Sequence, residues 1–291
     1  MRCALLILLA GCAATPAGDP ILETLWLDGD FTEGPAAAPD GAILFSDIGD
    51  RILRFDPRDG KTSVYRHPSG KANGLAFDRQ GRLLACEGAH GGGRRLSITG
   101  PDGAVRTLAD RWQGKRFNSP NDLSIDPAGN VYFTDPRYVG DEPRELDFEG
   151  VFRVSPEGEV VLATRDVEKP NGIVVAPDGR TAWVADNNPK GKRQLVAFSV
   201  RPDGTFADKR VLHDFGQGRG IDGMKLGPEG LLWATAGSGP KGGLYVFSPD
   251  GKLVRFIPTP GDPTNCAFAG RDLYVTSAGP GKRYGLFRLR P

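Results

Sequence analysis

Six positions in the sequence place a side-chain oxygen at the start of an apolar run: Glu33, Asn73, Asn121, Asn171, Asp222 and Asn265. All six offer carboxylate or amide oxygen, and none is His or Cys. Gathered at one point, such a set suits a hard cation with flexible coordination. That favours Ca²⁺ first, Mg²⁺ or Mn²⁺ next, with Zn²⁺ as a further alternative. The competing reading is local, because Asn-Gly is a strong hairpin-turn dipeptide and occurs at Asn73-Gly74 and Asn171-Gly172. Turn chemistry does not account for Asn121-Asp122, Asn265-Cys266 or Glu33 at the equivalent places. Asn73 and Asn265 are the two members that could hold water or backbone instead.

The elements that would bring these oxygens together are visible as a repeat. The copies read EGPAAAPDGAILFSD, NGLAFDRQGRLLACE, NDLSIDPAGNVYFTD, NGIVVAPDGRTAWVAD, DGMKLGPEGLLWATA and NCAFAGRDLYVTSA, at spacings of 40, 48, 50, 51 and 43 residues. Each is a polar residue, an apolar strand, a Gly-containing turn and a second apolar strand. A further hairpin follows each of the first five copies, as in RILRFDPRDGKTSVYR. Four strands repeated six times predict an all-β, six-bladed β-propeller with four-stranded blades, in which radial repetition protects the sheet edges. The sixth copy ends one strand short, and ILETLWLDG at 21–29 can supply it, closing the ring by pairing an N-terminal strand with the C-terminal blade. If each blade runs outward from the axis, the six oxygens face one another at one mouth of the central channel.

Bulk properties narrow the function. Gly 41 and Pro 24 supply the turns such a fold needs. Lys+Arg 37 against Asp+Glu 36 gives a net charge of +1, which disfavours nucleic acid and anionic lipid as partners. The expected partner is a small-molecule substrate, and the expected state is a monomer. No Gly-x-Ser-x-Gly element is present, and AHGGGRR lacks the Lys-Ser/Thr ending of a phosphate loop. Of three histidines, only His90 falls near the mouth as a candidate base. Cys86 and Cys266 lie inside apolar strands and read as buried small hydrophobes. The N-terminus, MRCALLILLAGCAATPAGDP, reads as an export signal with a lipobox-like Leu9-Ala10-Gly11-Cys12. This divides the chain into 1–19 as signal and linker and 20–291 as one propeller domain. The expected location is the periplasm or, through lipidated Cys12, a bacterial membrane surface without a transmembrane helix.

The motifs EGP at 33–35, GKRFNSPNDL at 114–123, DPAGNVYFTDP at 126–136, KPNG at 169–172 and IDGM at 221–224 resemble the gluconolactonase, regucalcin and senescence-marker-protein family of calcium-dependent six-bladed propellers. The resemblance runs from about Glu33 to the C-terminus in order. It implies a divalent ion held by Glu33, Asn171 and Asp222, with Asn121 as a ligand or a substrate-side neighbour. It also implies Asp222 as general base and Arg116 as a substrate contact. Glu87, Arg137 and Tyr138 follow second strands, where they would line the same mouth. The expected activity is metal-assisted hydrolysis of a cyclic ester, most simply a sugar lactone, with the ion as Lewis acid. The alternatives are a non-catalytic sugar- or ligand-binding surface propeller and a related aryl-ester or phosphotriester hydrolase.

Overall fold

A computed structural model describes residues 22–290. The signal segment and Cys12 therefore lie outside the described residues. Strand β1 (Glu23–Gly29) opens the described chain. Blade 1 follows as β2 (Thr32–Ala37), β3 (Ile43–Asp47), β4 (Arg51–Asp56) and β5 (Lys61–Arg66), and blade 2 as β6 (Ala72–Phe77), β7 (Leu83–Glu87), β8 (Arg95–Thr99) and β9 (Val105–Ala109). A small hairpin, β10 (Arg111–Trp112) and β11 (Lys115–Arg116), precedes blade 3, which is β12 (Leu123–Ile125), β13 (Val131–Asp135), β14 (Gly150–Val154) and β15 (Val160–Thr164). Blade 4 is β16 (Pro170–Val175), β17 (Thr181–Asn187), β18 (Arg193–Val200) and β19 (Phe206–Asp214), and blade 5 is β20 (Ile221–Leu226), β21 (Leu232–Ala236), β22 (Gly243–Phe247) and β23 (Leu253–Pro258). Blade 6 is β24 (Pro263–Ala269), β25 (Asp272–Ala278) and β26 (Tyr284–Leu289), completed by β1 in antiparallel pairing with β26. The architecture is the six-bladed propeller expected from the repeat, closed by its terminal strands.

The strand sequences follow from their place in the ring. Second strands such as β7 (LLACE) and β13 (VYFTD) are buried along their whole length, because neighbouring blades cover both faces. They consequently read as continuous apolar runs rather than alternating ones. Outer strands such as β5 (KTSVYR) are mostly exposed and carry charge at their ends, which discourages edge-to-edge pairing. The core sits between blades: Val174, Trp183, Leu195, Ile221, Met224, Leu232 and Phe247 join blades 4 and 5 in one cluster. Cys86 and Cys266 are free and buried, as their apolar surroundings suggest. The β10–β11 hairpin was not legible in the repeat; its Trp112 packs 5.9 Å from Phe148 and 5.8 Å from Phe152, extending the aromatic core of blade 3.

The innermost strands share a device that aims their polar residues. Pairing slips by one residue between Glu33 and Ala36, between Ala72 and Leu75, between Pro170 and Ile173 and between Ile221 and Met224. A bulge of this kind turns a side chain out of the sheet's alternation. The residue after the polar one is Gly34, Gly74, Gly172 or Gly223, and the reason is the next blade. A Cβ on Gly74 would stand 2.7 Å from Asn121 O, and one on Gly172 would stand 2.6 Å from Asp222 O. The Asn-Gly pairs are thus sites of close backbone approach within strands, not hairpin turns. Hydroxyls on second strands satisfy the bulged peptides: Thr235 Oγ1 accepts from Gly223 N at 3.0 Å, and Thr134 Oγ1 accepts from Asp122 N at 3.1 Å.

The acidic residue ending several second strands anchors the loop that enters its own blade. Asp135 Oδ2 and Oδ1 accept from Asn118 N and Ser119 N, each at 2.7 Å, fixing FNSPND above blade 3. Burial nevertheless pushes the Asp135 carboxyl up from 3.8 to about 7, despite those two donors. The folded pKa exceeds the unfolded one, so below about pH 4 both states are neutral and no penalty exists. As pH rises toward 7 the unfolded state ionises first, and folding loses on the order of 1.4 kcal/mol per unit from this group. Asp135→Asn cannot ionise. Its stability deficit relative to the parent should therefore shrink as urea midpoints are taken from pH 4 to pH 7, and a constant deficit would contradict this account.

Candidate functional site

A cavity of about 650 Å³ opens over the propeller axis. Five of the six oxygen-bearing residues line it: Glu33, Asn73, Asn121, Asn171 and Asp222. Glu33, Asn171 and Asp222 are its buried floor, only 3%, 5% and 9% exposed. Asn171 Nδ2 donates to Asp222 Oδ1 at 2.8 Å and also lies 3.2 Å from Tyr138 OH, so the contacts of this amide run through nitrogen and leave its oxygen free. Asn265 does not line the cavity but lies buried against its floor, where its side chain hydrogen-bonds Glu33 and its Oδ1 accepts from Cys266 N at 2.8 Å.

The electrostatics of the floor are unbalanced. Burial, and next the Asp222 carboxylate, push Glu33 well above the ordinary carboxylate range, against donors from Gly34 N at 2.9 Å and from the Asn265 side chain. Burial raises Asp222 too, opposed by the Arg219 guanidinium, which donates to Asp222 Oδ2. A third carboxylate, Asp122, is buried; Lys225 Nζ reaches its Oδ1 at 3.4 Å, while its Oδ2 has no partner. Asn73 Oδ1 is likewise buried and unpartnered. Among the described residues no three His, Cys, Asp or Glu side chains form a metal cluster. The set instead mixes carboxylates with amide oxygens, and its orphaned buried acceptors fit a hard divalent cation. Glu33, Asn171 and Asp222 would hold such an ion, with Asn121 beside them.

Three expected substrate contacts do not line the cavity. Glu87 is fully buried between blades, where Arg66 and Arg95 hold its two oxygens at 2.5 and 2.7 Å. Arg137 donates to Asn118 O at 3.1 and 2.7 Å and to Glu142 O at 3.1 Å, and Arg116 donates to Gly93 O at 2.7 Å. Glu87 ends an interior strand, where a charge is desolvated and must find a partner; Arg116 and Arg137 instead spend their guanidinium donors on loop carbonyls, so all three side chains are used within the wall of the propeller. His90, weighed as a base, is exposed and also lies off the cavity. Tyr138 does line the mouth, its hydroxyl donating to Asn187 O at 3.0 Å.

The sequence reading missed Arg219, Lys71 and Arg193, which line the cavity. Arg219 stands three residues before Asp222, and Nη1 donates to Pro263 O at 2.8 Å and Gly237 O at 3.1 Å. The signal was available in GRGIDGM, but a search for oxygen donors passes over a guanidinium.

Comparison with known proteins agrees with this geometry. Residues 31–279 match the model of the SMP-30/gluconolactonase/LRE-like region. A gluconolactonase of Zymomonas mobilis is 31% identical over 288 residues, covering 88% of this chain and 79% of that protein. A 6-deoxy-6-sulfogluconolactonase of Pseudomonas putida is 28% identical, covering 81% and 79%. A solved gluconolactonase structure from Xanthomonas campestris superposes with a TM-score of 0.82 at 32% identity, covering 94% of this chain and 90% of that one. A calcium-binding regucalcin structure from Agrobacterium tumefaciens shares the fold with a TM-score of 0.76 at 20% identity, covering 93% and 94%. With residues 31–279 matching the family model and a 31% identical gluconolactonase aligning with 88% of the sequence, the chain belongs to the SMP-30/gluconolactonase/LRE-like family.

Proposed function

We propose that the chain is a divalent-metal-dependent lactonase acting on sugar lactones, with Ca²⁺ as the resident ion. The observation that carries this reading is the pairing of two buried carboxylates, Glu33 and Asp222, with Asn171 at the floor of an open cavity. The gluconolactonases among its relatives support the reaction class. When bound, the ion supplies Lewis-acid polarisation of the lactone carbonyl.

The chain's own residues supply the remainder. Asp222 is the floor carboxylate placed to act as the base that takes a proton from the attacking water. Arg219 and Asn171 fix both of its oxygens, orienting it toward the cavity. As the water oxygen bonds to the carbonyl carbon, its proton passes to Asp222. The ring C–O bond then breaks, and the same proton returns to the departing alkoxide. The product is a hydroxy acid, whose carboxylate leaves past Lys71 and Arg193. Proton release on glucono-δ-lactone, followed in a pH-stat beside aryl esters and phosphotriesters, tests the class. Turnover of the lactone is expected, and hydrolysis of aryl esters alone would overturn it.

The order Leu9-Ala10-Gly11-Cys12 supports export with a lipid anchor. Cys12→Ser should then move the protein from the membrane fraction to the soluble exported fraction. An unchanged membrane share would count against lipidation.

A further inference from the structure

The upper walls of the cavity differ in character from its floor. Phe31, Ile48 and Tyr284 line one side, where blades 6 and 1 meet, and Tyr138 and Val139 of the loop after β13 line the side of blade 3. Phe31, Tyr138 and Val139 are 37%, 39% and 59% exposed. The other large exposed apolar residues, such as Val64, Val211 and Val254, lie on outer blade strands. Apolar surface concentrated at the rim of one cavity signals a ligand.

Both walls are held in place. The Phe31 and Tyr284 rings pack with centroids 4.6 Å apart and planes tilted by 35°, forming one apolar wall. The hydroxyl of Tyr138 is already used on Asn187 O, so what it offers the cavity is its ring. Behind Val139, Arg137 ties the loop through Gly140 O at 3.4 Å and Glu142 O at 3.1 Å, while Arg94 reaches Pro143 O at 3.3 Å.

Size points the same way. A cavity of about 650 Å³ lies in the range of about 300–1,000 Å³ that encloses a drug-sized ligand. A bare six-carbon sugar lactone would occupy the oxygen floor and leave the apolar walls wet.

Resting on the lactonase reading above, we infer that the preferred substrate is a lactone bearing an apolar substituent several carbons long. The ring sits on the Glu33–Asn171–Asp222 floor, and the substituent lies between the Phe31–Tyr284 wall and Val139. Lys71 and Arg193 line the remaining arc, so an anionic substituent is the competing case.

The experiment uses δ-lactones with methyl, pentyl and nonyl side chains, a carboxylated analogue of the pentyl compound, and glucono-δ-lactone. The matching lactams, which turn over slowly, are titrated by calorimetry. Lactone kcat/KM and lactam affinity should rise about two- to fourfold per methylene until the walls are covered. In Val139→Asp and Phe31→Ala, the nonyl-to-methyl ratio should fall at least tenfold, in both turnover and binding. Both side chains are exposed, and melting curves would confirm folding. Hydrolysis of glucono-δ-lactone with no dependence on chain length, or preference for the carboxylated analogue, would overturn the inference while leaving the lactonase reading intact. Chain-dependent lactam binding without turnover of any lactone would support the apolar site and sink the lactonase reading. No binding and no turnover would sink both.

Discussion

Asp222→Asn should lower kcat for lactone hydrolysis by about a thousandfold, the scale seen when a principal transition-state group is removed. Two roles are lost together, an anionic oxygen at the floor and the proton acceptor. Arg219 also loses its ion-pair partner, although its bonds to Gly237 O and Pro263 O keep it in place. Glu33→Gln separates the roles. It retains the shape of the floor and the base but weakens the hold on a cation, so raised Ca²⁺ should restore much of its rate. The same addition should leave Asp222→Asn inactive. Measuring kcat against Ca²⁺ for both variants checks this; parallel recovery of the two would remove Asp222 as the base.

The second large effect falls on stability. Gly34 has φ of +45°, and a Cβ there would run into Asn73 O, with Gly74 Cα only 2.7 Å away. Both obstacles are backbone of the neighbouring blade and cannot swing aside. Gly34→Ala should therefore cost more than about 4 kcal/mol, the range reserved for forced overpacking and backbone strain. Gly41→Ala is the control, because Gly41 has φ of +87° but nothing within 4 Å of its would-be Cβ. Conformational strain alone should cost it about 1 kcal/mol. Denaturant midpoints with unchanged slopes would give both numbers, and equal costs would show that inter-blade contact does not dictate the glycines.

Much of the architecture was legible because turn residues mark each hairpin at steps of 40 to 51 residues, and the deficit of one strand in the last repeat identified β1 as its partner. The floor was legible for a related reason: one polar letter recurs at the head of each inner strand. Glu87, Arg116 and Arg137 were misplaced because a strand-end charge looks the same whether it faces solvent, substrate or the seam between blades. Only the positions of Arg66 and Arg95 decide that for Glu87. Arg219 was overlooked for the opposite reason, since its importance comes from the carboxylate it touches and not from any recurrence. The bulges that aim Glu33, Asn171 and Asp222 leave only indirect marks, namely the following glycines and, for Glu33 and Asp222, the facing hydroxyls of Ser46 and Thr235. Those marks acquire meaning once the next blade's backbone is in view.

The account turns on a single cation held at the axial oxygens and required for turnover. Chelator-treated protein titrated with Ca²⁺, with heat of binding and lactone hydrolysis read from the same samples, tests it most directly. One ion per chain should bind, the rate should rise in proportion to occupancy, and Glu33→Gln should shift both curves together to higher Ca²⁺. Full activity in the chelated protein, or binding unaffected by Glu33→Gln, would contradict it.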